Sequence, residues 1–249
     1  MFTYHLKKEE SKASPLFILA SGPSLRDCNV KKLKNCYTMA FNRSYIAFND
    51  WGFEPTYFAG LDLVVNQDNK DEFRNLIFHS SIKRFFFPDN DFSRKNFHSR
   101  KTTLIRTNGR NPLHPDLDFE KELTVANSGL FGLQIAIGLL GFKEIYLLGC
   151  DANYKEHVPG VNIINGLYKS GENKDINHFR EDYYGKGTTY NKPCSDLWHY
   201  KAWKAFFREQ IKQRQNEIKI YNCSPISRLT FFEYKDFKEI EKSIKKYQL

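Results

Sequence analysis

Short apolar runs bounded by turn-forming residues recur along the chain, and each has the length of a buried strand. Strands that are apolar on both faces belong in a parallel sheet that helices cover on both sides. The pattern therefore predicts an α/β fold with a mainly parallel sheet. The predicted strands are Pro15–Ala20, Tyr37–Phe41, Thr56–Leu61, Ile82–Phe87, Thr103–Arg106, Glu144–Gly149 and Ile218–Tyr221.

Helical stretches with capping residues alternate with these strands. The clearest is Gly129–Leu140, an apolar helix that Asn127 or Ser128 caps. A first helix is predicted over Ser24–Lys34, where Ser24 would be the cap and Asp27 would complete a capping box. Further helices are predicted at Asn69–Phe78, Asp196–Gln215 and Asp236–Tyr247.

Residues 152–195 are rich in Gly, Asn, Tyr, His and Lys and show no apolar period. A loop of this length inside a compact domain is usually either a lid or a disordered segment. Its tyrosines favour a segment that becomes ordered over a ligand, and we call residues 152–195 the lid. We expect residues 1–249 to form one domain that contains this lid, with residues 88–122 irregular apart from the one predicted strand.

The excess of basic over acidic residues favours anionic binding partners. With 38 basic and 29 acidic residues the chain carries a formal charge of +9 and a pI near 9.2, which attracts phosphate-rich partners. Neither an RNA-binding signature with interleaved aromatics nor a Cys/His finger spacing is present, so nucleic acid is not expected. A charged sugar nucleotide and an anionic lipid remain as expected partners.

Cysteine usage and hydropathy bear on the compartment. Five cysteines without a CxxC pair do not form a disulfide framework, and this pattern fits a reducing compartment. No apolar stretch approaches the ~20 residues of a membrane-spanning helix. We expect a cytoplasmic protein, with at most peripheral contact to a membrane.

Polar and small residues follow several predicted strands, at the edge where parallel sheets bind ligands. They are Ser21-Gly22-Pro23-Ser24, Asn42, the segment from Gly60 to Asp62, and Asp151. The predicted helix N-termini at Ser24 and Ser128 would bring free backbone N–H groups to the same edge, where they suit a phosphate. This predicts a nucleotide pocket, although glycine and serine also form the tight turns of any α/β protein.

The lid adds candidate catalytic groups. His178 can act as a general base on a hydroxyl, since an ordinary histidine titrates near pH 6.5. Tyr184 and Lys186 could stabilise a leaving phosphate. No metal site is expected: the two DxD-like pieces, Asp89-Asn90-Asp91 and Asp116-Leu117-Asp118, lie in irregular polar sequence. The GxxxxGK[ST], GxSxG, HExxH and GxGxxG motifs are absent.

Three blocks of sequence form a recognisable series: Ile18–Leu25, the stretch from Asn127 to Asp151, and Lys219–Pro225. Together, and in this order, they resemble the bacterial sialyltransferases of glycosyltransferase family 42. Ser21 stands where the sialyltransferases carry Asn, and the lid is longer. The lid is similar to a wider set of relatives: motility accessory factors, Kdo-transferase domains and hydroxymethylpterin-diphosphokinase-like proteins.

The resemblance implies a single Rossmann-like domain of the GT-A variant type, with a lid over a CMP-activated sugar and no metal or other cofactor. By motif position, the implied donor-binding residues are Gly22, Pro23, Ser24, Asn42, Asn127, Ser128, Gly129, Asp151 and Tyr154. The family's base is a lid histidine. His178 is the best match, and His157 and His199 remain alternatives.

The implied activity is an inverting, metal-independent transfer of a sialic-acid-like (nonulosonate or Kdo-type) sugar from CMP to a surface glycan such as lipooligosaccharide or capsule. The alternatives are a hydroxymethylpterin-type diphosphokinase, which would need Mg²⁺ held by carboxylates, a transferase using another nucleotide sugar, and a binding module without a base. Homo-oligomerisation is left open.

The C-terminal segment Asp236–Tyr247 is a basic amphipathic stretch. Its apolar positions, Phe237, Ile240 and Ile244, could face an anionic membrane where lipid-linked acceptors reside. The alternative is that these side chains pack on the core.

Overall fold

The computed structural model describes residues 14–108, 115–119, 121–155, 157–192 and 196–248. The strands are β1 Leu16–Leu19, β2 Tyr37–Phe41, β3 Tyr57–Ala59, β4 Arg84–Pro88, β5 Thr102–Ile105, β6 Thr107–Asn108, β7 Leu123–Thr124, β8 Glu144–Leu148, β9 Val161–Ile164, β10 Leu167–Ser170, β11 Thr189–Tyr190, β12 Lys219–Asn222 and β13 Glu233–Tyr234. The α-helices are α1 Phe48–Trp51, α2 Leu63–Asp68, α3 Lys70–His79, α4 Asp91–Asn96, α5 Ser128–Gln134, α6 Asp196–Phe206 and α7 Phe237–Ser243.

One eight-stranded sheet organises the molecule, in the order β13-β12-β8-β1-β2-β3-β4-β5. Every pairing within it is parallel, which confirms the predicted sheet and the Rossmann-like α/β class. The first strand lies in the middle, because Leu16 pairs with Tyr37 of β2 on one side and with Ile145 of β8 on the other. The chain thus reverses its direction of travel across the sheet between β1 and β8, where ligands bind in such folds.

Alternate strand residues supply two separate apolar cores, one on each face of the sheet. On one face Leu16 and Ile18 pack with the helical run that begins at α5 and with α6. On the other face Phe17 and Leu19 pack with α1, α2, α3 and α7. Helices therefore cover both faces, as the continuous apolar strands required.

The helix predicted over Ser24–Lys34 is wrong. Two short 3₁₀ turns, Pro23–Asp27 and Val30–Leu33, occupy this stretch, and Gly22 rather than Ser24 is the N-cap of the first. The Ser24 backbone N–H and hydroxyl both donate to Asp151. A tertiary partner therefore replaces the capping interaction that the sequence suggested.

Other boundaries also differ from the prediction. Residues 88–122 were predicted to be irregular except for one strand, but they also contain α4 and β6. The side chain of Asn90 caps α4 by accepting from the Ser93 N–H. The apolar helix predicted at Gly129–Leu140 begins at Ser128 and continues after α5 as a π-helical turn, Ile135–Leu139. The long helix from Asp196 likewise passes from α6 into a π turn, Phe207–Ile211, and then a 3₁₀ turn, Lys212–Arg214.

The described part of the lid holds regular structure that the prediction lacked. β9 and β10 form a hairpin through Asn165-Gly166, both with positive φ, and β11 pairs with β10 to complete a three-stranded antiparallel sheet. The two residues that precede the hairpin turn, Ile163 and Ile164, are exposed. A buried stretch between β10 and β11 carries Asp175 and Phe179.

The C-terminal helix packs on the core. Phe237, Ile240 and Ile244 are at most 6% exposed and belong to the core on the α3 face of the sheet. Of the two expectations for this segment, the structure favours packing, because the side chains that would have met a membrane are covered. No helix in the described ranges is long and apolar enough to cross a membrane.

Candidate functional site

A cavity of about 580 Å³ opens at the carboxyl ends of β1, β2, β3 and β8, beneath the lid. Its volume lies within the usual range for a small-molecule site. Twelve predicted site residues line it, drawn from distant parts of the chain: Ser21, Gly22, Pro23, Asn42, Asp62, Asn127, Ser128, Gly129, Asp151, Tyr154, His178 and Tyr184. The segments after β1 and before α5 therefore face one cavity.

Three predicted site residues do not line the cavity. Ser24 is buried behind Asp151. Gly60 faces Asn66 and Phe87, since a Cβ there would lie 2.6 Å from the Asn66 side-chain oxygen. Lys186 has an exposed side chain, and its backbone N–H donates to Asn173.

Asp151 ties together three segments at the bottom of the cavity. Its carboxylate accepts hydrogen bonds from the Ser24 N–H at 2.9 Å, from the Ser24 hydroxyl, and from the Ser224 hydroxyl at 2.6 Å. We call this cluster, Gly22–Ser24 with Gly149–Asp151 and Ser224, the floor. Asp151 is only 3% exposed, and its carboxylate joins the segments that follow β1, β8 and β12.

The floor does not offer the free amides that the sequence suggested. Gly22 N–H donates to the Gly149 carbonyl at 2.9 Å, and Ser24 N–H donates to Asp151. Pro23 has no N–H to give. The prediction that the N-terminus at Ser24 presents unpaired donors to a phosphate is therefore wrong, because those donors are already bonded within the protein.

The other predicted N-terminus is arranged differently. Asn127 caps α5, accepting from the Leu130 N–H at 2.9 Å, and Asn42 donates to the Ser128 hydroxyl at 3.1 Å. The Asn42 side-chain oxygen and the Asn127 side-chain nitrogen are buried and lack a hydrogen-bond partner among the described residues. Buried polar atoms of this kind are costly unless a ligand or water completes them. The Asn42 Oδ1 acceptor and the Asn127 Nδ2 donor at the start of α5 could therefore each form a hydrogen bond with a ligand.

His178 is held from several sides. Its Nδ1 lies 2.7 Å from a carboxylate oxygen of Asp175, and its ring stacks on Tyr183 with centroids 4.3 Å apart. The Tyr184 ring meets it edge-on at 4.9 Å. The two partners of this hydrogen bond, His178 and Asp175, are 6% and 4% exposed.

The Asp175 carboxylate is stabilised in its charged form. Burial alone would raise its pKa, but attraction to His178, the hydrogen bond between them, and the N–H groups of Asn177 and Tyr184 outweigh burial and lower the pKa. Asp175 is therefore an anion at neutral pH and accepts rather than donates toward the imidazole.

Tyrosines form the wall between the histidine and the lid sheet. Tyr184 stacks on Tyr190 with centroids 4.0 Å apart, and both line the cavity. Burial raises the pKa of Tyr184 well above its ordinary value. The phenol therefore stays neutral and can donate a hydrogen bond to an anionic ligand.

Hydrogen bonds with the segments that follow β1 and β2 hold the lid in place. The Arg26 guanidinium donates to the carbonyls of His178 and Phe179, each at 2.8 Å, and Phe179 N–H donates to the Ser21 carbonyl at 2.9 Å. Arg43 donates to the Tyr183 carbonyl. The backbone around His178 is thereby positioned by the segments that follow β1 and β2.

The two alternative histidines differ in position. His199, on α6, lines the cavity with its ring centroid 5.3 Å from that of Tyr154. His157 is exposed and does not line the cavity. The geometry thus keeps His199 as the second candidate and removes His157 from the site.

Neither DxD-like piece lies at the cavity. Asp89 accepts from Arg94, and Asp116 accepts from the N–H groups of the two residues that follow it. Among the described residues no group of three or more His, Cys, Asp or Glu side chains is close enough to hold a metal ion.

Sequence reasoning missed Asp175 and Arg26. Asp175 stands three residues before His178, and this spacing within Asp-Ile-Asn-His was a signal that could have been read. Arg26 follows the Ser21–Ser24 turn, and nothing in its local sequence indicates a partner more than 150 residues away.

Comparison with known proteins supports the fold. Comparison with protein-family models gives no match, and neither does comparison with curated proteins. A solved structure, the MAf glycosyltransferase from Magnetospirillum magneticum AMB-1, matches with a TM-score of 0.50 and 15% identity over 97% of this chain. This chain spans 39% of that protein's length. The expected likeness to motility accessory factors is therefore confirmed for the fold, while the narrower likeness to sialyltransferases stays a prediction.

Proposed function

We propose that the protein is an inverting glycosyltransferase that moves a sialic-acid-like sugar from a CMP donor to a glycan hydroxyl. The observation that supports this most is convergence on one cavity: the α5 N-terminus, the end of β2, and a histidine with a buried carboxylate partner. The α5 N-terminus and the end of β2 suit an anionic sugar-nucleotide donor. The histidine suits an acceptor hydroxyl that must lose its proton.

His178 is the proposed general base. The acceptor hydroxyl loses its proton to the imidazole as its oxygen forms a bond to the anomeric carbon, and the bond from that carbon to the phosphate oxygen breaks. The phosphate takes the electron pair and leaves as CMP, and attack from the opposite side inverts the configuration. A well-placed base typically contributes ~10²–10⁴-fold to the rate.

The proposed contacts to the CMP-sugar use polar groups that lack a hydrogen-bond partner among the described residues. The buried Asn42 oxygen and Asn127 nitrogen offer one acceptor and one donor to the nucleoside. The first turn of the helical run from Ser128 faces the cavity with its positive dipole end, which favours the leaving phosphate. Tyr184 adds a neutral phenol donor on the lid side.

A thermal-shift comparison of CMP, UDP, GDP and ATP tests the nucleotide class. A matched nucleotide at ~100 times its Kd stabilises the folded protein by about 2.7 kcal/mol. We expect CMP to give the largest shift. A larger shift with UDP or GDP would favour another sugar nucleotide. A larger shift with ATP, together with turnover abolished by EDTA, would favour the diphosphokinase reaction and overturn the proposal.

The base is tested with His178→Asn. The asparagine amide can replace Nδ1 as the donor to Asp175, so the lid keeps its internal hydrogen bond while the base is lost. We expect turnover of a CMP-sugar to fall by ~10²–10⁴-fold and CMP affinity to stay within about threefold. His199→Asn is the matched control, since it removes the other cavity histidine. Full turnover in His178→Asn with loss in His199→Asn would transfer the role to His199.

A further inference from the structure

The hydrogen bond between Asp175 and His178 bears on which nitrogen of the imidazole carries the proton. A neutral imidazole carries its proton on one nitrogen only, and the hydrogen bond made by one nitrogen sets the state of the other. Asp175 is an acceptor and lies 2.7 Å from Nδ1. The proton of the neutral ring therefore belongs on Nδ1, which leaves Nε2 with its lone pair.

The carboxylate itself is firmly oriented. One oxygen accepts from the Asn177 N–H at 2.9 Å, and the other accepts from the Tyr184 N–H at 3.2 Å as well as from His178. The Tyr183 ring, nearly parallel to the imidazole at 7°, limits rotation of the histidine. These contacts hold both members of the pair in one arrangement.

We propose that Asp175 is the positioning residue of this site: it selects the Nδ1–H tautomer of His178, so that Nε2 faces the reaction as an acceptor of the substrate proton. The inference rests on the proposed function for its catalytic meaning. The tautomer itself can be observed without any substrate.

Asp175→Asn is the most informative variant, because it keeps the size and changes the hydrogen-bonding pattern. The Asn oxygen is expected to stay opposite the closer backbone donor, Asn177 N–H, which turns the Asn NH₂ toward Nδ1. Nδ1 must then be an acceptor, and the proton moves to Nε2. A ring protonated at Nε2 cannot take the proton of a hydroxyl.

The experiment records ¹⁵N spectra of histidine-labelled protein about two pH units above the ordinary histidine pKa of about 6.5. The chain has 7 histidines, and the His178→Asn spectrum identifies the signals of His178. We expect the Nδ1–H tautomer in the wild type and the Nε2–H tautomer in Asp175→Asn. Asp182→Asn is the control, since it removes a lid carboxylate that pairs with Arg180 instead.

Kinetics complete the test. In Asp175→Asn we expect kcat to fall by ~10²–10⁴-fold with KM within about threefold, and Asp175→Glu, which restores a carboxylate, to recover part of kcat. Asp182→Asn should leave both constants within about threefold. A merely structural role for Asp175 would not change the tautomer of a folded variant.

The outcomes separate the inference from the function. If the tautomer of His178 is the same in wild type and Asp175→Asn, with both folded by circular dichroism, the inference is overturned. If the tautomer switches but no CMP-sugar is turned over by the wild type, the positioning role stands and the transferase reaction fails. If the tautomer switches and kcat does not change, Asp175 positions a histidine that is not the base, and the catalytic part is overturned.

Discussion

The floor and the lid enclose the same cavity but use their polar groups in opposite ways. In the floor, Asp151 accepts three hydrogen bonds from Ser24 and Ser224, and the Gly22 N–H donates to a carbonyl. In the lid, the Asp175 carboxylate is hydrogen-bonded to Nδ1 of His178, and Nε2 is the nitrogen proposed to act on a substrate. A substitution in the floor should therefore change stability first, whereas one in the lid should change chemistry.

This difference explains why two aspartates near one cavity have different expected roles. Asp151 lies where strands from three parts of the sheet end, so its hydrogen bonds join segments that are 73 and 127 residues apart in sequence. Asp175 bonds within its own loop. A carboxylate that joins distant strands maintains the cavity, and one that binds a neighbouring histidine prepares a reactive group.

The largest effect is expected for Asp151→Ala. Removing the carboxylate leaves the Ser24 N–H and two buried hydroxyls without their acceptor, which should lower the free energy of unfolding by about 3 kcal/mol or more. Urea unfolding measures this. Asp91→Ala, at a fully exposed carboxylate, should leave the free energy of unfolding nearly unchanged. Equal stability of the two variants would remove the distinction between floor and lid.

The next effect is expected for Gly22→Ala. A Cβ there would lie 2.4 Å from the Gly149 carbonyl oxygen, while φ is an ordinary −66°, so the cost of about 1–3 kcal/mol comes from crowding alone. Gly187→Ala is the comparison variant, since its Cβ has open space but φ is +88°. It should cost about 1 kcal/mol through backbone strain. A smaller loss in Gly22→Ala than in Gly187→Ala would contradict a tightly packed floor.

The smallest effect is expected for Arg26→Ala. This variant removes two hydrogen bonds to lid carbonyls from a partly exposed side chain and should cost about 1 kcal/mol. Amide hydrogen exchange should accelerate between Asp175 and Gly185 while the strands of the large sheet stay protected. Uniform acceleration through β1 and β8 would mean that Arg26 supports the whole fold rather than the lid.

The strands could be predicted because burial on both faces leaves a continuous apolar run. Leu16–Leu19 and Glu144–Leu148 lie inside the predicted bounds for that reason. The lid hairpin could also have been predicted, since Asn165-Gly166 between the apolar pairs Ile163-Ile164 and Leu167-Tyr168 is a strong hairpin signal. The length and polarity of residues 152–195 indicate only a long loop, whereas the Asn-Gly turn indicates a hairpin within it.

The remaining errors arise from tertiary contacts that local sequence does not encode. Ser24 looks like a helix cap, yet Asp151, far along the chain, engages both of its donors. Gly60 and Lys186 have suitable chemistry, but one faces the sheet interior and the other faces solvent. Gly22 and Ser128 both line the cavity, as expected for a turn after a parallel strand and a helix start at the same edge of the sheet.

The central position of β1 in the sheet affects how the chain can fold during its synthesis. The β2 partner of Leu16 follows about 20 residues later in sequence, whereas its β8 partner, Ile145, follows about 130 residues later. During synthesis one edge of β1 can therefore be paired long before the other edge has a partner. Ser224 joins the cluster around Asp151 only after a further 73 residues of chain. A truncated product would expose an unpaired apolar strand, which makes it a natural client for chaperones and a poor candidate for independent expression.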